Sequence, residues 1–155
     1  MAARWFSTSD QDAVLDFLNT AILGNEHSAD VFQTDEDVAL WLRNAGFLND
    51  GLVPEVKPHA LVIEARSLRE LIRELLMQQK AGELVDIGLL NDRLAKGGYW
   101  VELAHDCEGN LITCRRYARD TAAQVLIPIA VAAADLLASA DFRLIRKCEG
   151  DVFRA

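Results

Sequence analysis

The chain has 155 residues, 51% hydrophobic and 26% charged, with 3 prolines and 9 glycines; this supports one compact core and excludes collagen-like, low-complexity and wholly disordered chains. Lys plus Arg is 16 against Asp plus Glu at 24, a net charge of −8, the wrong sign for a protein that coats phosphate backbones with its whole surface. Cys107, Cys114 and Cys148 are too few for a disulfide framework, so a reducing, cytoplasmic setting is expected.

Ser7, Ser9, Asp10 and Asp12 interrupt any apolar run that could serve as an export signal. Ser9 can cap a first helix with Asp10 and Asp12 in its opening turn. Val14, Leu15, Phe17, Leu18, Ile22 and Leu23 give that helix one broad apolar face, which predicts a run through Ile22, ended by Gly24-Asn25. Thr34 followed by Asp35, Glu36 and Asp37 opens a short second helix, closed at Gly46. A long third helix starts with Pro58 in its first turn and carries Leu61, Leu68, Leu71, Ile72, Leu75 and Leu76 to Gly82. Arg66, Arg69 and Arg73 share one stripe of it, read as a solvated face with Glu70 and Glu74 as partial neutralisers.

A fourth helix covers roughly Asp86 to Lys96 and stops at Gly97-Gly98. Tyr99 to Ala104 and Leu111 to Tyr117 have β-favouring patterns around a turn at Asp106 to Asn110, which predicts a β-hairpin. The last helix runs from Thr121 to Ser139, with Pro128 either kinking it or marking a second start. Its alanines let other helices approach closely, and it is expected at the centre of the core. An irregular segment leads from Phe142 to Arg146-Lys147-Cys148. The most apolar stretch, Ala122 to Ala138, is shorter than the roughly 20 residues that cross a bilayer, so no membrane partner is expected. The predicted class is α+β, predominantly α-helical: a helical bundle with one β-hairpin.

No pair among Cys107, Cys114, Cys148, His27, His59 and His105 has CxxC or HExxH spacing, so no metal site is expected. GxSxG, GxxxxGK[ST] and GxGxxG are absent, and no catalytic residue is assigned. Asp16, Asn19 and Thr20 form a polar i, i+3, i+4 set in an apolar helix; they either line a pocket or satisfy core groups locally. Arg115, Arg116 and Arg119, and separately Arg143, Arg146 and Lys147, are local basic clusters that could touch a few phosphates, although capping and pairing explain them as well.

Val14-Leu15-Asp16-Phe17-Leu18-Asn19-Thr20, preceded by Trp5, resembles the opening of the ABATE domain of CGNR-type zinc-finger proteins, described as stress-induced transcription regulators. Trp41-Leu42-Arg43-Asn44-Ala45-Gly46, Leu68-Arg69-Glu70-Leu71-Ile72-Arg73, Leu90-Asn91-Asp92-Arg93-Leu94 and the Pro128 to Leu137 run are similar to further segments of that family in the same order. The resemblance implies an ABATE-like domain over residues 1–148 and a tail, 149–155, where the family's zinc finger would follow. Cys148 aligns with the first finger ligand, and one thiolate cannot hold a zinc that needs four ligands; zinc is expected only with the finger, and DNA only through it.

The function expected from the resemblance is a regulatory domain that senses a small-molecule effector or self-associates as a homodimer, with Asp16, Asn19, Thr20 and Arg69 facing the ligand. Two alternatives stand beside it. One is a small helical hydrolase or transferase using Asp16 with His27 or His105. The other is a pure interaction module with an apolar patch at Trp41, Phe47 or Trp100.

Overall fold

In a computed structural model, residues 8–21, 29–48, 55–139, 146–148 and 152–154 are described. Their elements are α1 (Thr8–Leu18), α2 (Asp35–Asn44), α3 (Ala60–Ala81), α4 (Gly88–Ala95), β1 (Tyr99–His105), β2 (Leu111–Tyr117), α5 (Ala122–Val125), α6 (Ile127–Ser139), β3 (Arg146–Cys148) and β4 (Val152–Arg154). The class is α+β and mostly helical. β1 and β2 form an antiparallel hairpin pairing Tyr99 with Tyr117 and His105 with Leu111. A second small antiparallel pair, β3 with β4, is an addition to the single hairpin expected from sequence.

α1 begins one residue before its expected cap, Ser9, and ends at Leu18 rather than running on through Ile22. The reason is competition for its last acceptors. The Thr20 hydroxyl donates to the Phe17 carbonyl at 2.6 Å, and Arg73 Nη2 donates to the carbonyls of Leu18 and Ala21 at 2.8 and 3.0 Å. Ile22 to Asn25 lie outside the described residues, as do Trp5 and the irregular segment at Phe142. α2 starts as expected: Thr34 accepts from the Asp37 N–H, and the Asp37 carboxylate accepts from the Thr34 N–H, a reciprocal capping box.

α3 starts at Ala60, two residues beyond Pro58, after His59 in a left-handed conformation (φ 67°). Its cap comes from another helix: the Asp35 carboxylate accepts from the His59 and Val62 N–H groups at 2.8 and 2.9 Å. Gly82, at φ 71°, closes it, a conformation costly to any side chain with a Cβ. α4 is shorter than expected, because Asp86 turns back to accept from Gly88 N–H before the helix begins. Pro128 marks a second start: Thr121 caps the one-turn α5, the chain breaks at Leu126, and Pro128 sits at the second position of α6, where its missing N–H is not needed.

The core is built by α1, α2, α3 and α6 with contributions from α4 and α5. α6 buries Ile129, Ala130, Ala132, Ala133 and Leu136, as expected of a helix with thin alanine surfaces. The hub, however, is α3, which touches all five other helices, whereas α6 packs on α1, α3, α4 and α5. The greater length of α3 and its ten buried side chains explain the difference. Phe17, Phe32, Trp41 and Phe47 make an aromatic cluster with centroid separations of 5.4 to 6.3 Å, so Trp41 and Phe47 belong to the core margin and not to an open patch.

The hairpin is anchored at its base by Gly97, where a Cβ would come within 2.8 Å of the Ile127 side chain. Its turn is held by Asp106, which accepts from the Glu108 and Asn110 N–H groups. Cys114 stands opposite Glu102, four residues into β2, while Cys107 lies exposed in the turn; both thiols are free.

Candidate functional site

The arginine stripe of α3 does not face water. Only Arg66 is substantially exposed; Arg69 and Arg73 are 3% and 8% exposed. The periodicity contains the reason. Ala65, Arg69, Ile72 and Leu76 follow the i, i+4, i+7, i+11 spacing of the helix's apolar seam, which puts Arg69 in a core position.

A buried guanidinium needs acceptors for its N–H groups and a partner for its charge. Arg69 finds them on the stretch between α1 and α2. Nη1 donates to Thr20 Oγ1 at 2.9 Å and to Asp30 Oδ1 at 2.8 Å, and Nη2 donates to Asp30 Oδ2, a two-pronged pairing. The Phe32 ring lies 5.4 Å from its central carbon. Arg66 donates through Nε to the Phe32 carbonyl at 2.9 Å and approaches Asp30 Oδ2 at 3.5 Å. Arg73 donates to Glu70 at 2.9 Å in addition to the carbonyls of Leu18 and Ala21. The three arginines thereby grip the chain on both sides of residues 22–28.

Partial burial opposes ionisation of Asp30, but the Arg69 hydrogen bond, the Phe32 N–H and the charges of Arg69 and Arg66 outweigh it and hold its carboxyl below the usual aspartate range. Among the described residues the three guanidiniums face two carboxylates, Asp30 and the half-exposed Glu70, with Arg66 itself open to solvent. The buried Nε–H groups of Arg69 and Arg73 have no hydrogen-bond partner among the described residues; Glu70 Oε1 lies 3.6 Å from Arg69 Nε, beyond bonding reach.

Of the four ligand-facing candidates, the structure brings Thr20 and Arg69 into direct contact. Asn19 is half-buried in the turn beside Thr20, its N–H donating to Leu15 O. Asp16 is exposed on α1, and among the described residues no hydrogen bond joins it to the arginines. Asp30 was not singled out by sequence, because it lies in an irregular stretch without periodicity and its partner is 39 residues away. Arg73 was visible on the stripe but read as solvated.

His105 is on exposed β1, distant in sequence from Asp16, and His27 lies outside the described residues. Among the described residues no group of three or more His, Cys, Asp or Glu side chains could hold a metal ion, and no helix is long and apolar enough to cross a membrane. In the first basic cluster Arg116 pairs with Glu102 at 3.1 Å, and Arg115 lies over the Tyr99 ring at 4.7 Å. The side chains of Arg143, Arg146 and Lys147 lie outside the described residues.

The described residues thus form a mostly helical α+β domain with an arginine cluster buried where α3 meets the stretch between α1 and α2. The chain belongs to the ABATE family, described as "Putative stress-induced transcription regulator", which matches residues 11–140. No curated protein and no solved structure matches it.

Proposed function

We propose that this chain is the sensing part of a stress-induced transcription regulator, and that it answers to a small effector bearing a carboxylate or phosphate group at the arginine face of α3. The family description supports the regulatory half of this reading. The observation that carries the effector half is the pair of buried Nε–H donors of Arg69 and Arg73, which have no hydrogen-bond partner among the described residues. An anion seated there gains charge-assisted bonds in a poorly hydrated setting. Thr20 and Arg69 are the ligand-facing residues in this reading, joined by Arg73, with Asn19 beside them and Asp16 left out.

Response follows from what the arginines already hold. An anion competing with Asp30 for Arg69, or with Glu70 for Arg73, changes the grip on residues 18–21 and 30–32, and with it the position of α1 against α3. Net charge −8 supports a role in regulation rather than in coating DNA. The free thiols of Cys107 and Cys114 agree with work in the cytoplasm. The enzyme reading requires an imidazole on Asp16, and Asp16 and His105 both lie at exposed positions of separate elements.

The test is thermal melting of the chain against inorganic phosphate, acetate and a panel of small dicarboxylates and phosphate monoesters at constant ionic strength. A ligand at a hundred times its dissociation constant adds about 2.7 kcal/mol, a rise of roughly 5–10 °C for a chain of this size. Saturable stabilisation by one member, lost in Arg73→Gln and reduced in Thr20→Val, is the expected result. If every anion acts only through ionic strength, or the shift survives Arg73→Gln, the effector site is wrong.

A further inference from the structure

We infer that the outer edge of β1 is an association surface for a second copy of this chain, the two β1 strands pairing antiparallel about a two-fold axis to make one four-stranded sheet. The inference is independent of the effector reading and rests on the hairpin alone.

The backbone of β1 leaves one edge unpaired among the described strands. Gly98 O accepts from Ala118 N–H at 2.8 Å, and Asn110 O from Asp106 N–H at 3.0 Å. The register between these two bonded pairs is continuous, so the even-numbered residues of β1 exchange hydrogen bonds with β2. Tyr99, Val101, Leu103 and His105 therefore turn their N–H and C=O groups to the open edge. Proteins ordinarily guard such an edge with charge, proline or a bulge. Here the strand is YWVELAH, without proline, and its one carboxylate, Glu102, is occupied by Arg116 and the Trp100 indole N–H.

The side chains that flank this edge are apolar and exposed. Val101 is 61% exposed and Leu103 72%, and with Tyr99 and Leu111 on the same face of the hairpin they present on the order of 500 Å² of largely apolar surface. That is above half of the ~800 Å² each partner gives to a standard interface, before the backbone edge is counted. A two-stranded hairpin in water is marginal by itself, and a third and fourth strand would remedy that.

A second copy is the occupant that matches this edge. An antiparallel strand pairing with its own copy is self-complementary: with full overlap, Val101 of each chain meets Leu103 of the other, and Tyr99 meets His105. In the same register Glu102 meets Glu102 of the second copy, a like-charge pair offset by the bonds each carboxylate accepts from Arg116 and the Trp100 indole N–H of its own hairpin. The paired strands carry Glu102 against Arg115 and Arg116, and the two further carboxylates of the hairpin, Asp106 and Glu108, lie in its turn.

Sedimentation velocity of the full chain from low to high micromolar concentration tests this, with Val101→Lys and Leu103→Lys placing charge on the edge. Leu84→Lys, at a site 98% exposed and outside the hairpin, is the control. The expected result is a dimer of twice 17.2 kDa whose dissociation constant rises about tenfold or more in each edge variant and is unchanged in Leu84→Lys. Hydrogen exchange supplies a readout specific to strand pairing: the Val101 and Leu103 amides become protected as concentration rises. A monomer throughout the range overturns the inference, whether the hairpin then proves to bind phosphatidylcholine vesicles or a foreign strand. So does a dimer in which those two amides exchange as fast as in the monomer.

Discussion

Asp30 stands in an irregular stretch, yet it neutralises a guanidinium that is almost wholly out of water, so its removal leaves an uncompensated charge rather than a lost surface pair. Asp30→Asn keeps the shape and removes the charge. It is expected to cost about 3 kcal/mol in urea denaturation. The pH dependence has a definite sign. A carboxyl held below its ordinary value binds its proton less readily in the folded chain than in the unfolded one. Its contribution is therefore full above pH 3.8, the ordinary value, and is lost as pH falls further. The wild-type urea midpoint should fall more steeply below that pH than the midpoint of Asp30→Asn; parallel curves would refute the linkage. The burial of Arg69 is missed by reading its stripe as a solvated face, although its helical spacing with Ala65, Ile72 and Leu76 was legible in the sequence. Asp30 was not, since nothing within several residues of it signals a partner on a helix 39 positions downstream.

Helix ends show the same division at the scale of elements. Thr34 and Asp37 cap α2 through bonds three residues apart, which a local pattern can announce, and Thr34→Ala is expected to cost about 1 kcal/mol. The start of α3 is capped by Asp35, 24 residues away from His59, so sequence placed the start two residues early, at Pro58. Asp35→Ala frees two α3 N–H groups and is expected to cost about 2 kcal/mol, more than Thr34→Ala; equal losses in thermal melts would contradict the cross-helix cap. The junction of hairpin and bundle depends on Gly97. An added methyl meets Ile127 Cγ2 at 2.8 Å, so Gly97→Ala should lose about 1–3 kcal/mol. Combining it with Ile127→Ala should give a loss smaller than the sum of the two single losses, because the smaller side chain makes room.

At the scale of the molecule, stability is centred on α3, since it touches the other five helices and buries ten side chains. Ile72→Ala, at a fully buried position, is expected to lose about 2–5 kcal/mol and to lower the melting of every helix together. Hydrogen exchange should rank the parts: α3 and α6 amides slowest, and the hairpin, with its exposed strands, faster. A hairpin protected as strongly as α3 in the monomer would contradict that order.

The sequence by itself determined what depends on neighbours along the chain. This includes the helical and extended periods, the Thr34 capping box, the left-handed stop at Gly82, the hairpin of 99–104 with 111–117, one residue short of the observed end of β1, and the mostly helical α+β class. Only the tertiary structure decided what depends on distant acceptors. Arg73 takes carbonyls from α1's last turn and stops that helix at Leu18; Asp35 starts α3; Asp30 and Thr20 turn an apparent solvent-facing arginine stripe into a buried junction. The physical reason is that periodicity reports which face of an element is apolar, whereas the satisfaction of a buried donor depends on which chain segment folding brings within about 3 Å of it.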